Sequence, residues 1–419
     1  MTTSKDILEQ PTTSNLDGLP EDWEILRFPD CFLNKKGKTP HHINTENYQS
    51  SGEFPIIDQS AKYIAGFTDD ESKIFKDNLP VIIFGDHTRI FKFVDFPFAI
   101  GAQGTKIFLP NKALFDPQFL FYYLSNLEIP NRGYNRHSKL LNDYSIVQPP
   151  LPEQHAITTT LRTVQEAKEK NDAVIAATKA LKAAMMKYVF TYGPVPAEEA
   201  DRIELRDSDF GSFPKKWKIH QLNECAYVQT GATKGKRISD DIAIEVPYLR
   251  VANVQDGYLD LSEMKSIRIR KNELNRFLLK KGDVVVTEGG DFDKLGRGFI
   301  WQGEIPVCVH QNHIFAIRPI PEIILQEYLS FLIQSEYGKK YFLSVAHRTT
   351  HLACINSTKL KALPVLIPTL LEQREIIDIL SAIDQKLAAE QSRKEALDTL
   401  FASLLHNFMT ANIRVKNIV

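Results

Sequence analysis

Cysteine is scarce in this chain: there are four in 419 residues, Cys31, Cys225, Cys308 and Cys354, and no two form a C-x-x-C pair. That spacing argues against zinc knuckles and thioredoxin-like redox pairs, and it fits a reducing cytoplasm. Long apolar runs are missing too. No window approaches the ~20 apolar residues of a membrane span. The first eighteen residues, MTTSKDILEQPTTSNLDG, are polar and carry Asp6 and Glu9 where a signal peptide would be apolar, so they read as a loose tail. The chain is expected to be neither exported nor embedded. Nor is there an excess of one charge, since 51 Lys and Arg stand against 52 Asp and Glu, a formal −1. Gripping nucleic acid by bulk charge is thereby disfavoured, because counterion release needs a basic surface. Binding would need local patches or a basic partner. The remaining composition, 43% hydrophobic and 25% charged, is that of a folded globular protein, and the length predicts two to three domains.

Catalytic signatures are also absent. TGATKGKR (230–237) lacks the spacing of a phosphate-binding P-loop, and no G-x-S-x-G or H-E-x-x-H occurs. VQPPLP (147–152) superficially resembles an adenine-methyltransferase motif. It has Gln148 where an Asn or Asp would hold the target amino group, and Leu151 in place of an aromatic, so it reads as a helix lead-in. His310-x-x-His313 and His347-x-x-x-His351 are spaced for metal, but no neighbouring Cys or carboxylate set completes a site. Catalysis by this chain alone, and a resident metal, are not expected.

What is present is a long internal repeat. LPEDWEI (19–25) recurs as FPKKWKI (213–219), offset by 194, and LPEQHAI (151–157) recurs as LLEQREI (370–376), offset by 219, so the second copy carries 25 extra residues between these anchors. FDPQFLFYYLSN and ILQEYLSFLIQS match at an offset of 209, and both are expected to be helices. LPVIIF (79–84) and DVVVT (283–287) are β-branched runs bounded by Gly, Asp and Pro, which predict strands.

Each copy closes on a long heptad pattern. Its seam runs through Leu161, Val164, Lys168, Ile175, Thr178, Met185 and Val189 in the first copy. In the second it runs through Leu380, Ile383, Leu387, Leu397, Phe401, Leu404 and Phe408, with Glu390 and Lys394 filling the intervening positions. Thr369-x-x-Glu372 is a capping box, Pro152 suits a first turn, and Gly193-Pro194 ends the first helix. A helix of about 40 residues rises ~60 Å, more than a globule needs for its own core. Antiparallel pairing of the two is therefore preferred over each packing along its own domain. The polar seam residues Lys168, Asn171, Glu390 and Lys394 would then meet near mid-helix and fix the register.

The expected fold is α+β with a pseudo-two-fold repeat. Two globules, 19–150 and 213–368, are joined by two long antiparallel coiled-coil helices, 151–192 and 369–410. A tail (1–18), an acidic linker (193–212) and a C-terminal tail (411–419) complete the chain.

Several loops mix glycine with residues that reach base edges and phosphates. KKGKTPHH (35–42) and TGATKGKR (230–237) are placed alike in the two halves. FGDHTR, IGAQGTK and RGYNRHSK follow in the first half, and GGDFDKLGRG, VHQNH and AHRTTH in the second. The candidate DNA-contacting side chains of the first half are Lys36, Lys38, Thr39, His87, Arg89, Gln103, Lys106, Arg132, Tyr134, Arg136 and Lys139. Those of the second are Lys234, Lys236, Arg237, Lys294, Arg297, Gln311, Asn312 and Arg348. The competing reading is that these are ordinary solvated turns.

Motif, order, duplication and length together resemble the specificity subunit of type I restriction-modification systems. The resemblance is carried by QPPLPEQ (148–154), IPTLLEQREI (367–376), FGDHTR, GYNRHSK, EGGDFDKLGRG and CVHQNHIF, and it extends from about residue 19 to 410. It implies a non-catalytic subunit with two target recognition domains that read a bipartite asymmetric site in double-stranded DNA, the coiled coil setting the unread spacer. It implies two methyltransferase subunits and motor-nuclease subunits as partners, and no membrane. No cofactor is expected in this chain; S-adenosylmethionine, ATP and Mg²⁺ would belong to the partners. The alternatives are a scaffold whose two globules bind proteins, and a fused restriction-methylation enzyme, against which the missing motifs count.

Overall fold

The computed structural model describes residues 19–33, 41–131, 133, 136–235, 237–290, 295–348 and 353–415, with only the backbone of Arg348. The chain divides into two compact units. The first comprises residues 1–173 and 392–419, and the second residues 174–391. Each holds an α+β globule together with half of each long helix, Leu151–Tyr192 and Leu370–Met409.

The core of the first unit is built on Val81–Gly85, a β-branched and aromatic run with every residue buried, flanked antiparallel by Phe91–Val94 and Thr105–Phe108. Beside it lies a four-stranded sheet in which Phe54–Ile57 runs parallel to Phe98–Ile100. In the second unit Val284–Thr287 is the equally buried centre of a four-stranded sheet. Ala243–Leu249 there runs parallel to Val309–His310.

The repeat is legible hydrogen bond by hydrogen bond. Glu24 pairs with Gln148 in an antiparallel ladder, and Lys218 with Ile367, at the same offsets of 194 and 219 that separate the sequence anchors. The helices Pro117–Ser125 and Gln326–Gln334 stand at the expected offset of 209. Two buried glutamines seat the long helices. Gln154 Nε2 donates to the Leu114 and Pro149 carbonyls while its Oε1 accepts from Asp116 N–H. Gln373 does the same with Ile323, Pro368 and Leu325. Such side chains are tolerated at 0% exposure because every donor and acceptor is matched. One residue earlier, Glu153 accepts from Trp23 Nε1 at 3.0 Å, and Glu372 from Trp217 Nε1 at 3.4 Å. The repeat also explains two of the cysteines: Cys31 and Cys225 occupy the same buried position at an offset of 194, and desolvation pushes both thiols up to about 12.

The long helices pack antiparallel within each unit. In the first, Lys168 Nζ meets Asp398 at 2.7 Å and Lys394 Nζ meets Asp172 at 2.5 Å, so a rise of four on one helix matches a fall of four on the other. In the second, Lys182 Nζ meets Asp384 at 2.6 Å, and Met186, Val189 and Phe190 share a cluster with Ile376 and Leu380. Of the seam residues, Leu161, Ile175, Val189 and Leu380 are buried, whereas Val164, Met185, Ile383, Leu387, Leu397, Phe401 and Leu404 are half-buried. Asn171 and Glu390 are buried as well. Pairing along the domain and pairing between helices are not alternatives here. Leu161 belongs to one cluster with Phe119, Leu120 and Leu124 of the globule and with Phe401 and Leu404 of the other helix. Lys168 and Lys394 take aspartates as partners on the facing helix.

The described part of the C-terminal segment is firmly held. Ala411 turns the chain with φ +57°, Val415 packs on the core of the first unit, and Arg414 lies over the Trp23 ring at 5.6 Å. Arg414 forks onto Glu153 through Nε and Nη2, each at 2.7 Å, and onto Asp22 at 2.9 and 2.7 Å. In the second unit Lys216 stands where the repeat has Asp22, and it bonds Glu372 directly at 2.8 Å. Burial raises the Glu372 pKa, but the donors Lys216, Thr369 and Trp217 outweigh it and hold that carboxyl below its ordinary value.

Candidate nucleic-acid interface

In the first unit three of the glycine-rich segments converge on two residues, and a fourth joins beside them. Asp86, 1% exposed, sits at the end of strand Val81–Gly85. Its N–H donates to Gly104 O, its carbonyl accepts from His137 N–H and lies 2.7 Å from His137 Nδ1, and its Oδ1 accepts from Ser138 N–H at 2.7 Å. Gln59, in the loop after strand Phe54–Ile57, links the same segments from the side. Its Nε2 donates to Gln103 O at 2.9 Å, its Oε1 accepts from His87 N–H at 3.2 Å, and its carbonyl accepts from the Thr88 hydroxyl at 2.5 Å. Lys92 anchors this loop from below, donating to Asp58 O at 2.7 Å and Lys62 O at 2.5 Å. Burial lowers its pKa against the opposing pull of Asp58, which is 3.9 Å away. His42 contacts the Gly101 and Ala102 carbonyls and brings in the end of the KKGKTPHH loop.

On this frame His87, Gln103, Arg136 and Lys139 are exposed and Lys106 is half-buried. Arg89 departs from the expectation. Its backbone is left-handed, with φ +62°, and its Nη1 donates to Ile129 O at 2.8 Å, so the guanidinium secures a neighbouring loop and is not presented outward. Lys36, Lys38, Thr39, Arg132 and Tyr134 lie outside the described residues.

The second unit builds the same frame from different side chains. Glu288 N–H donates to His313 O and its carbonyl accepts from Ile355 N–H, matching the Asp86 bonds to Gly104 and His137. Ala232 donates to His310 O and accepts from Asn312 N–H, as Ile43 donates to Ile100 O and accepts from Ala102 N–H. These docking residues correct the sequence alignment of the two lysine-bearing loops. Along the chain Lys36 and Lys38 precede Ile43, whereas Lys234, Lys236 and Arg237 follow Ala232, so the two loops do not align residue for residue. The close approach needs Gly231, where a Cβ would lie 2.1 Å from His310 O. Gly231→Ala is expected to lower stability by about 1–3 kcal/mol through overpacking, which denaturant unfolding would measure.

Lys234 and Arg237 are exposed, and Gln311 and Asn312 are half-buried. Arg297 is a second departure: half-buried, it donates from Nη1 to Gln255 Oε1 at 2.8 Å. Arg348 lies in a short strand, His347–Arg348, paired with Ala353–Cys354, while Lys236 and Lys294 fall outside the described residues. Of the histidines, His310 is buried with Nδ1 2.9 Å from Ile314 O, and desolvation takes its pKa down to about 4. His313 Nδ1 contacts Glu288 Oε2 at 2.6 Å. Among the described residues no group of three or more His, Cys, Asp and Glu is placed to hold a metal ion. Sequence reasoning missed Gln59 and Gln255. Each follows a strand that runs parallel to its neighbour, and each ties down the next hairpin, but a lone loop glutamine carries no pattern.

Two stretches, 20–176 and 214–399, match the family model described as the type I restriction modification DNA specificity domain. The chain belongs to that family. Both stretches begin just before the repeated tryptophans, so both copies of the repeat are specificity domains, and sequence specificity toward DNA is the function of this type I specificity chain. It is similar to the type I restriction enzyme MjaVIII specificity subunit of Methanocaldococcus jannaschii, 25% identical over 96% of this chain and 95% of that one. It is also similar to the EcoR124I/EcoR124II specificity subunit of Escherichia coli, 23% identical over 88% of each. The fold is shared with the S subunit of a type I restriction-modification system from M. genitalium, with a TM-score of 0.55, 18% identity, and coverage of 92% of this chain and 96% of that one. A structure titled for complex assembly and conformational transition of the type I R-M system agrees, with a TM-score of 0.54, 17% identity, and coverage of 93% and 98%. Among the described residues no helix is long and apolar enough to cross a membrane.

Proposed function

We propose that each unit of this type I specificity chain reads one half of a bipartite, asymmetric site in double-stranded DNA through the loop cluster around Asp86 or Glu288. The observation that carries this reading is one backbone frame, built twice with the same hydrogen bonds, that presents different side chains in its two copies. Equal frames give equivalent approaches to a groove. Unequal side chains, His87, Gln103, Arg136 and Lys139 against Lys234, Arg237, Gln311 and Asn312, give different base preferences. The chain itself contributes recognition and no chemistry. Two methyltransferase subunits and the motor-nuclease subunits dock on it, and S-adenosylmethionine, ATP and Mg²⁺ are used by those partners.

The near-neutral charge of the chain leaves much of the DNA clamp to the partners. A duplex carrying the recognised site is therefore expected to be retarded in a salt-sensitive gel shift that sharpens when the methyltransferase subunit is added. A shift equally strong with any duplex, or none with the partner present, would remove the reading.

A further inference from the structure

We propose that the second unit holds an anion site of its own, a cleft of about 320 Å³ that takes one phosphate of the DNA backbone beside the bases this unit reads. The proposal rests on the DNA-reading function above. The cleft lies on one face of the ladder between Ala226–Thr230 and Ile314–Pro319. Tyr227 pairs with Arg318 and Gln229 with Ala316, so these four side chains rise from the same side, and Thr230 and Arg276 complete the wall. Its floor is fixed by an ion pair. Asp283, 0% exposed, accepts from Arg318 Nε at 2.8 Å and Nη2 at 2.7 Å, and also from Lys280 N–H.

The repeat shows that the fold does not need this pair. One step along the ladders from Val284 and Ile317 lie Asp283 and Arg318. The matching step in the first unit, from Ile82 and Phe108, reaches Val81 and Leu109, both buried in an apolar cluster. Exchanging a buried ion pair for packed hydrophobic residues is often neutral or stabilising, because the charges no longer have to be desolvated. What the charged pair does and the apolar one cannot is hold a guanidinium, with Nη1 left over, against an open cleft.

Arg276 supplies the second guanidinium. It is exposed, stacks on Phe277 at 5.3 Å, and has no carboxylate partner among the described residues. No acidic side chain lines the cleft. With Asp283 neutralising Arg318, one positive charge remains together with neutral donors on Tyr227 and Gln229. That set suits the single negative charge of a phosphodiester. The position favours DNA over a free anion. Thr230 runs directly into Gly231 and Ala232, and Gln229 Nε2 lies 3.5 Å from His310 Nε2. His310 Nδ1 faces the Ile314 carbonyl and so carries the proton, which makes Nε2 the acceptor and Gln229 the donor. The cleft therefore shares a wall with the reading loops.

The test compares the full chain with its R276Q variant, in the presence of methyltransferase subunits, on a duplex carrying the mapped site. R276Q is expected to weaken binding roughly three- to tenfold at low salt and to reduce the slope of log affinity against log salt by about 0.9, the release of one counterion. Discrimination among bases and the melting temperature should stay unchanged. A single methylphosphonate beside the second half-site should weaken the wild type and leave R276Q indifferent. Equal affinity and slope for the two proteins would overturn the proposal while leaving DNA reading intact. So would saturable binding of inorganic phosphate that is lost in R276Q while DNA affinity is not. If the wild type shows no site preference, the DNA-reading function fails first.

Discussion

Glu153→Ala is expected to destabilise the first unit by about 3–5 kcal/mol, the cost of removing one partner from a buried ion pair. Glu153 is 6% exposed and carries three donors: Trp23 Nε1 and two nitrogens of Arg414. Its loss leaves the Arg414 charge against a tryptophan ring, balanced only by the more exposed Asp22. The equivalent Glu372→Ala should cost only about 1–2 kcal/mol. Its lysine partner is largely solvated and its Trp217 bond is long, so the capping box is the main loss. Because a two-unit chain need not unfold in one step, amide hydrogen exchange resolved by segment is the measurement of choice. Protection should fall in residues 19–150 for Glu153→Ala and hardly change there for Glu372→Ala. Equal losses would mean that Arg414 contributes nothing.

The second large effect should be on specificity. Gln59→Ala removes both side-chain bonds by which one residue fixes the chain at His87 and at Gln103, while Lys92 still holds the loop from below. Loop positions then spread, and the exposed residues they carry lose their alignment with base edges. A good bidentate contact discriminates by about 1–3 kcal/mol, so preference at the first half-site should fall about tenfold or more, with the second half-site read as before. Gln59→Glu keeps the acceptor for His87 N–H and loses the donor to Gln103 O, and should lie in between. Binding to duplexes with single-base changes in each half-site separates these outcomes. Loss at both half-sites would make Gln59 a residue of general stability.

What the sequence disclosed, and what it hid, follows from the range of the interactions. The anchors at offsets of 194, 209 and 219 were visible because tryptophan, glutamate and glutamine are bound to fixed positions in both copies. The helices were visible because their seams repeat every seven residues. Arg414 was not, since one arginine beyond a helix has no period and its partners lie 261 and 392 residues away. The inward turn of Arg89 and the tie of Arg297 to Gln255 were hidden for the same reason: composition identifies a guanidinium but not the carbonyl or amide that reaches it first. The two lysine loops match in sequence because each comes shortly after its tryptophan. Only the backbone bonds of Ile43 and Ala232 showed that, along the chain, the basic residues precede the docking residue in one copy and follow it in the other.

The most direct test of one reader per unit is the methylated sequence itself. Methyladenine is mapped across a genome that expresses this chain with a methyltransferase subunit, and mapped again after the segment 233–237 has been exchanged for that of a relative with another sequence. The expected result is an asymmetric motif in two blocks, separated by unread bases, in which the exchange alters one block and leaves the other intact. A palindromic or uninterrupted motif, or an exchange that changes both blocks together, would contradict it.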